Sequence, residues 1–131
     1  MSLVVDASVL VALTSDAGPV GCWAESILTH ENLLAPHLAL VEATNILRQL
    51  ELSGRLTANE SASAASDLLQ LDIELMPFSP FADRIWALRS NITSYDAWYV
   101  AVAEKFHIQL ATLDHKLANS TGPRCTFLLP N

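Results

Sequence analysis

The chain is expected to fold as an α/β domain with a mainly parallel sheet, and three observations lead there. Short apolar runs alternate with amphipathic stretches along its 131 residues. The stretches between runs are long enough to carry crossover helices, which parallel strands require. The first run, Leu3-Val4-Val5, is apolar at consecutive positions rather than alternate ones, the pattern of a strand covered on both faces.

That first strand ends abruptly in Asp6, with Ala7 to Leu13 following as a short helix. Asp6 thus lies on a strand-to-helix turn, where open α/β sheets build their sites. Asp16-Ala17-Gly18-Pro19 breaks the helix with turn formers. Val20 to His30 reads as a second helix, with Trp23, Ile27 and Leu28 on one face. Leu33 to Pro36 reads as a second strand, stopped by its proline. From Leu38 to Leu52, Leu40, Ala43, Leu47 and Leu50 recur at helical spacing, while Glu42, Asn45 and Gln49 share a polar strip. Gly54 ends that helix. Thr57 with Glu60 three residues on is a capping-box pattern opening another helix to Leu71. Glu74 to Phe78 is a third strand, and Pro80 suits the first turn of a helix carrying Phe81, Ile85, Trp86 and Leu88. Ser94 is expected to cap the helix Tyr95 to Phe106, whose Tyr95, Trp98, Tyr99, Val102 and Phe106 form an apolar stripe. Ile108 to Leu113 is a fourth strand, again followed by an aspartate, Asp114. His115 to Asn119 is a helical turn and Cys125 to Leu129 a last strand.

Bulk properties narrow the class of protein. The length suits one domain over residues 1–131, able to close a core without disulfide or metal staples. No apolar run approaches the roughly 20 residues of a membrane span, and no signal-peptide pattern opens the chain, so a cytoplasmic protein without membrane contact is expected. Cys22 and Cys125 lack ligand spacing and read as small buried hydrophobes. A formal charge of −7 argues against nucleic-acid binding through a broadly basic surface. It does not exclude a nucleic-acid enzyme with an acidic metal site, because bound cations offset clustered carboxylates.

Four acids occupy positions that converge in such a fold. Asp6 and Asp114 each follow an apolar strand, Glu42 lies in the first turns of the long helix after strand two, and Asp96 lies in the first turn of the helix before strand four. Helices leaving strand ends start at the same rim, so one pocket can hold all four. Packed together without a cation, they would repel and take up protons. Mg²⁺ or Mn²⁺, with hard oxygen ligands and retained waters, removes that conflict and favours phosphodiester hydrolysis. Each acid also has a structural reading: Asp6 and Asp114 as helix caps, Asp96 as an answer to the helix dipole, Glu42 as a solvated helix residue. Asp6-Ala7-Ser8 lacks the second aspartate of aspartyl-phosphate phosphatases, and no Gly-rich phosphate loop or nucleophile elbow is present.

VVDASVLVAL, the Glu42 to Asn45 E-x-x-N, SYDAWYVAVAE from Ser94 and ATLDHKLA from Ala111 resemble, in motif order and length, the PIN-domain ribonucleases, specifically VapC toxins of VapBC toxin–antitoxin systems. The resemblance implies a three-layer α/β/α fold with a five-stranded parallel sheet. It also implies Mg²⁺- or Mn²⁺-dependent endonuclease activity on RNA, and a cognate VapB-like antitoxin that blocks the site. The family's acidic positions fall on Asp6, Glu42, Asp96 and Asp114, with Asp6, Asp96 and Asp114 as metal ligands and Glu42 as a ligand or the group that orients or deprotonates the water. Ser8, Asn45 and Thr112 would orient those acids or the substrate, with local capping and helix-surface polarity as their other reading. A homodimer, within a larger toxin–antitoxin assembly or alone, is implied as well.

The remaining residues are less telling. His115 reads as an exposed helix-start residue, and His30, His37 and His107 share no spacing. The stripe of Tyr95, Trp98 and Tyr99 suits a core or dimer face before base stacking. Arg48, Arg55, Arg84, Arg89 and Lys116 are candidate phosphate contacts because the chain has only seven basic residues. Two other functions stay open on the sequence: an RNA-processing nuclease without an antitoxin, and a non-catalytic binding module in which the acids cap helices. Growth arrest on expression separates the first, and Mn²⁺ calorimetry the second.

Overall fold

The computed structural model describes residues 1–131. Strands β1 (Ser2–Val5), β2 (Asn32–Pro36), β3 (Ile73–Met76), β4 (Leu110–Ala111) and β5 (Phe127–Leu128) form one sheet in the order β3-β2-β1-β4-β5. Every pairing is parallel. β1 sits at the centre, with Val4 opposite Leu34 on one side and Leu110 on the other. Val4 and Val5 are wholly inaccessible to solvent, which is why an unbroken apolar run is tolerated there. The chain builds outward from β1 to β2 and β3, then returns to the opposite flank for β4 and β5. The strand order therefore reverses between β1 and β4, which places the sheet's switch point beside Asp6.

Helices α1 (Ala7–Ser15), α2 (Pro19–Leu28), α3 (Ala39–Leu52) and α4 (Ala58–Gln70) pack against one another as one layer. Helix α6 (Ser94–Phe106) lies against β1, β2 and β4, with α5 (Ala82–Ala87) at its side and the short α7 (His115–Ala118) after β4. The start of α4 follows from its sequence: Thr57 accepts from the Glu60 amide at 3.1 Å and the Glu60 carboxylate accepts from the Thr57 amide at 2.9 Å. The turn between α1 and α2 depends on Gly21, where a Cβ would stand 1.7 Å from the Asp16 carbonyl oxygen. Thirty-one buried apolar residues form one core spanning the sheet and both layers.

Several local expectations need correction. Thr93, not Ser94, caps α6, its hydroxyl accepting from the Asp96 amide at 3.2 Å. The shift of one residue sets Asp96 at the third helical position. β3 runs Ile73–Met76 rather than Glu74 to Phe78, because Pro77 has no amide to continue the ladder. β4 keeps only Leu110–Ala111: the Ile108 amide is taken by the Ala103 carbonyl and the Asp114 amide by the Thr112 hydroxyl. β5 is likewise two residues, Phe127–Leu128. The buried face of α6 is Ala97, Tyr99, Val100, Ala101, Val102 and Ala103, leaving Tyr95 and Phe106 exposed. Alanines let this helix sit close on the sheet, so its large aromatics at either end fall outside the contact. Cys22 is exposed on α2, whose buried side is Gly21, Ala24 and Leu28.

Candidate active site

Asp6 stands where β1 becomes α1. Its amide still bonds the Ala111 carbonyl of β4 at 3.1 Å, so the backbone is tied to the sheet on the residue where the helix begins. Its Oδ1 accepts from the Ser8 amide (2.6 Å) and Ser8 hydroxyl (2.5 Å), and its Oδ2 accepts from the Thr112 hydroxyl (2.6 Å). Thr112 is fully buried and accepts in turn from the Asp114 amide at 3.0 Å, while the Ser8 hydroxyl accepts from the Leu113 amide at 3.3 Å. Ser8 and Thr112 therefore lock the carboxyl ends of β1 and β4 together around Asp6. Asp114 caps α7, its Oδ1 accepting from the Leu117 amide at 3.1 Å. Capping and convergence hold together: the helix starts are what aim these two acids at the rim.

The other two acids arrive from the helices on either side of the sheet. Asp96 is in the first turn of α6, and Glu42 in the first turn of α3. Glu42 Oε1 accepts from the Tyr99 hydroxyl at 2.7 Å, a bond that joins α3 to α6 across the site. Tyr99 sits one turn after Asp96, with its ring in the core and only 3% of its surface exposed. Sequence reasoning placed Tyr99 in an apolar stripe and missed this contact. A buried tyrosine needs a partner for its hydroxyl, and the acid strip of α3 supplied one.

Burial and neighbouring charge act on two of the acids and on Tyr99. Burial pushes the Glu42 carboxyl above its ordinary value and the charges of Asp6 and Asp96 push it further, against the lowering effect of the Tyr99 bond. Burial and then the charges of Asp114 and Asp6 do the same to Asp96, against its Thr93 bond. The Tyr99 phenol is driven far upward by burial, by its bond to Glu42 and by the charges of Glu42 and Asp6, so it remains a donor. Glu42 thus feels Asp6 and Asp96, and Asp96 feels Asp6 and Asp114. They are not closed into a ligand cage: no group of three His, Cys, Asp or Glu is drawn together tightly enough to hold an ion. Asp6, Glu42 and Asp114 are held by their own donors, Ser8 and Thr112, Tyr99, and the Leu117 amide.

The donor set nevertheless fits a hard divalent cation. It is all carboxylate, and neither of the protein's ion pairs, Arg84 with Glu104 and the N-terminal ammonium with Glu31, brings a cation to it. Two of its members are raised by burial and mutual repulsion, a strain that a bound cation relieves. Carboxylate oxygens engaged in one hydrogen bond keep a further lone pair for an ion.

Of the remaining sequence candidates, Asn45 lies on the exposed surface of α3 one turn beyond Glu42 and makes no side-chain hydrogen bond to the acids. His115 is exposed beside Asp114. Asp96 and Asp114 line a cleft of about 510 Å³. A cleft of about 540 Å³ opens at the opposite end of the sheet, but the Glu104 that lines it is already held by Arg84 at 2.7 Å and by the Arg124 amide at 2.7 Å. None of the four acids reaches it.

Comparison with known proteins bears on the family and the fold. The family model described as the PIN domain matches residues 3–121. Ribonuclease VapC9 of Mycobacterium tuberculosis is 33% identical over 123 residues, covering 94% of each chain. The crystal structure of PAE2754 from Pyrobaculum aerophilum superposes with a TM-score of 0.72 at 26% identity, over 97% of this chain and 83% of that one. The structure of VapBC2 from Rickettsia felis bound to a DNA fragment from its promoter shares the fold at a TM-score of 0.70 and 13% identity, over 100% of each chain.

Proposed function

The chain belongs to the PIN-domain family, among the VapC ribonucleases, and from that premise we propose that it is a divalent-metal-dependent endoribonuclease acting as the toxin of a toxin–antitoxin pair. What supports the proposal is that Asp6, Glu42, Asp96 and Asp114 lie along one rim at the switch point of the sheet, where burial first, and then the charges of neighbouring acids, raise Glu42 and Asp96. Asp6, Asp96 and Asp114 would hold Mg²⁺ or Mn²⁺. Bound there, the ion would lower the pKa of a water and offset charge developing on a phosphoryl oxygen.

The protein's own groups divide the remaining work. Ser8 and Thr112 hold both oxygens of Asp6, so the acid at the centre of the rim cannot rotate away. Tyr99 holds Glu42 by Oε1 and leaves Oε2 to take the proton of the attacking water. The raised proton affinity of Glu42 suits that role better than an ordinary surface glutamate. Asn45, exposed one turn beyond Glu42, would act on substrate rather than on the acids.

The partners follow from the same premise: an RNA substrate, a VapB-like antitoxin that covers the rim, and a second copy of the chain. We place the protein in the cytoplasm; no helix is long and apolar enough to cross a membrane. The direct test is cleavage of RNA by purified protein with Mg²⁺ or Mn²⁺. Asp6→Asn and Asp96→Asn are expected to lower cleavage by at least ~100-fold, since even partners that only orient metal ligands account for about 10- to 100-fold. Unchanged cleavage in both folded variants contradicts the assignment. Growth arrest on expression, relieved by co-expression of the adjacent gene, tests the toxin role.

A further inference from the structure

The acidic rim has a cationic neighbour. The cleft of about 510 Å³ that Asp96 and Asp114 line is formed where the α5–α6 connection faces the start of α7. Its other walls carry Arg89, Asn91, Thr93 and Lys116. The chain has seven basic residues, and their places in the fold separate them. Arg84 is committed to Glu104, with its Nε at 2.7 Å. Lys105 ends α6, and Arg124 lines the cleft at the opposite end of the sheet. Arg48 is exposed on α3, and Arg55 lines a mostly apolar cleft with Val11, Ile46 and Leu50. Arg89 and Lys116 share a cleft with Asp96 and Asp114, and neither is in an ion pair.

Arg89 is also held in place. Its guanidinium lies 4.5 Å from the centre of the Trp86 ring, and its Nη1 donates to the Trp86 carbonyl at 2.9 Å. Trp86 is itself 66% exposed. The Asn91 side-chain Nδ2 donates to the Thr121 hydroxyl at 2.8 Å, which ties down the connection from which Arg89 projects. A guanidinium oriented in advance and left without a carboxylate is suited to an oxygen anion.

Resting on the endoribonuclease reading above, we infer that this cleft is a phosphate subsite of the RNA strand, in which Arg89 and Lys116 hold a backbone phosphate adjoining the one positioned at the acids. The arrangement answers a difficulty set by the composition. A protein of charge −7 repels a polyanion overall, and an acidic rim repels it most. Two unpaired cations at the edge of that rim give the strand a local anchor and a direction of approach. Phosphate contacts of this kind position a strand without reading its bases.

The test is equilibrium binding of a short fluorescent single-stranded RNA of mixed sequence, in EDTA so that the strand is not cut. Affinity is followed by anisotropy across a series of KCl concentrations for wild type, Arg89→Gln, Lys116→Gln and Arg48→Gln. For single strands each phosphate-neutralising cation contributes about 0.7 to the slope of log K against log salt. Arg89→Gln and Lys116→Gln are each expected to reduce that slope by about 0.7 and to weaken binding, with Arg48→Gln unchanged. Slopes equal to that of wild type in both cleft variants overturn the subsite, as does an equal loss in Arg48→Gln. The two readings fail separately: RNA cut by wild type with slopes unaltered removes the subsite alone, whereas wild type that neither binds nor cuts RNA removes both. All three positions are exposed, so the variants are expected to keep the wild-type melting temperature.

Discussion

Tyr99 is the residue on which packing and chemistry meet, since its ring fills the contact between α6 and the sheet while its hydroxyl reaches Glu42. Tyr99→Phe keeps the ring and deletes the donor. Cleavage or Mn²⁺ affinity is expected to fall by about 10- to 100-fold, with the melting temperature nearly unchanged, as measured by calorimetry and kinetics on the same preparation. Thr112→Val tests the other support. It removes the donor to Asp6 and the acceptor of the Asp114 amide in a fully buried position, and is expected to lower stability by roughly 1–3 kcal/mol in urea unfolding. Asp6 and Asp114 were legible as site candidates only jointly with Glu42 and Asp96, because an aspartate after a strand is commonly a helix cap, and both of them are caps. Tyr99 was not, because helical periodicity reports which face a side chain occupies and says nothing of what its terminal atom meets. Arg89 and Lys116 were named among five basic candidates, but only their place around one cleft separates them from Arg84, whose charge is already answered by Glu104.

At the scale of elements, helix starts do the aiming: α1 and α7 begin on Asp6 and Asp114, and the first turns of α3 and α6 carry Glu42 and Asp96. The α1–α2 turn keeps the first of these helices in register. Gly21→Ala would drive a methyl into the Asp16 carbonyl and is expected to lower stability by roughly 1–3 kcal/mol in urea unfolding. Far from the site, Glu104 joins α6 to Arg84 of α5 and to the Arg124 amide before β5. Burial raises its carboxyl, but those bonds outweigh burial and hold it below its ordinary value of 4.5. Its contribution to stability is therefore complete above pH about 4.5 and lost as pH falls through the lower folded-state value. Glu104→Gln should be less stable at neutral pH and lose less on acidification, as thermal melts across pH would show. Strands β1 and β2 and helices α3 and α4 were legible to within a residue or two, because apolar runs, helical spacing and the Thr57–Glu60 box are local signals. β4 was overestimated, because its ends depend on amides captured by Ala103 and Thr112, contacts that no window of sequence contains.

For the molecule as a whole, parallel strands and a reversal of order between β1 and β4 bring residues 6, 42, 96 and 114 to one rim, where burial and neighbouring acid charges raise Glu42 and Asp96, a penalty that the cation of the proposed function would remove. Metal binding should therefore stabilise the fold. Mn²⁺ at ~100-fold above its Kd is expected to add ~2.7 kcal/mol, raising the melting temperature of wild type and not of Asp96→Asn. The three-layer architecture was legible from alternation of strand and helix and from the family resemblance. The hydrogen bonds that hold the individual acids were not, because the donors concerned, Thr112 to Asp6 and Tyr99 to Glu42, are far away in the sequence. The central claim, that these acids gather around one cation, is tested most directly by anomalous diffraction from crystals soaked in Mn²⁺. A peak is expected at the rim, within coordination distance of oxygens of Asp6, Asp96 and Asp114. A clean map with no peak there, or ordered Mn²⁺ only at other carboxylates, would contradict it.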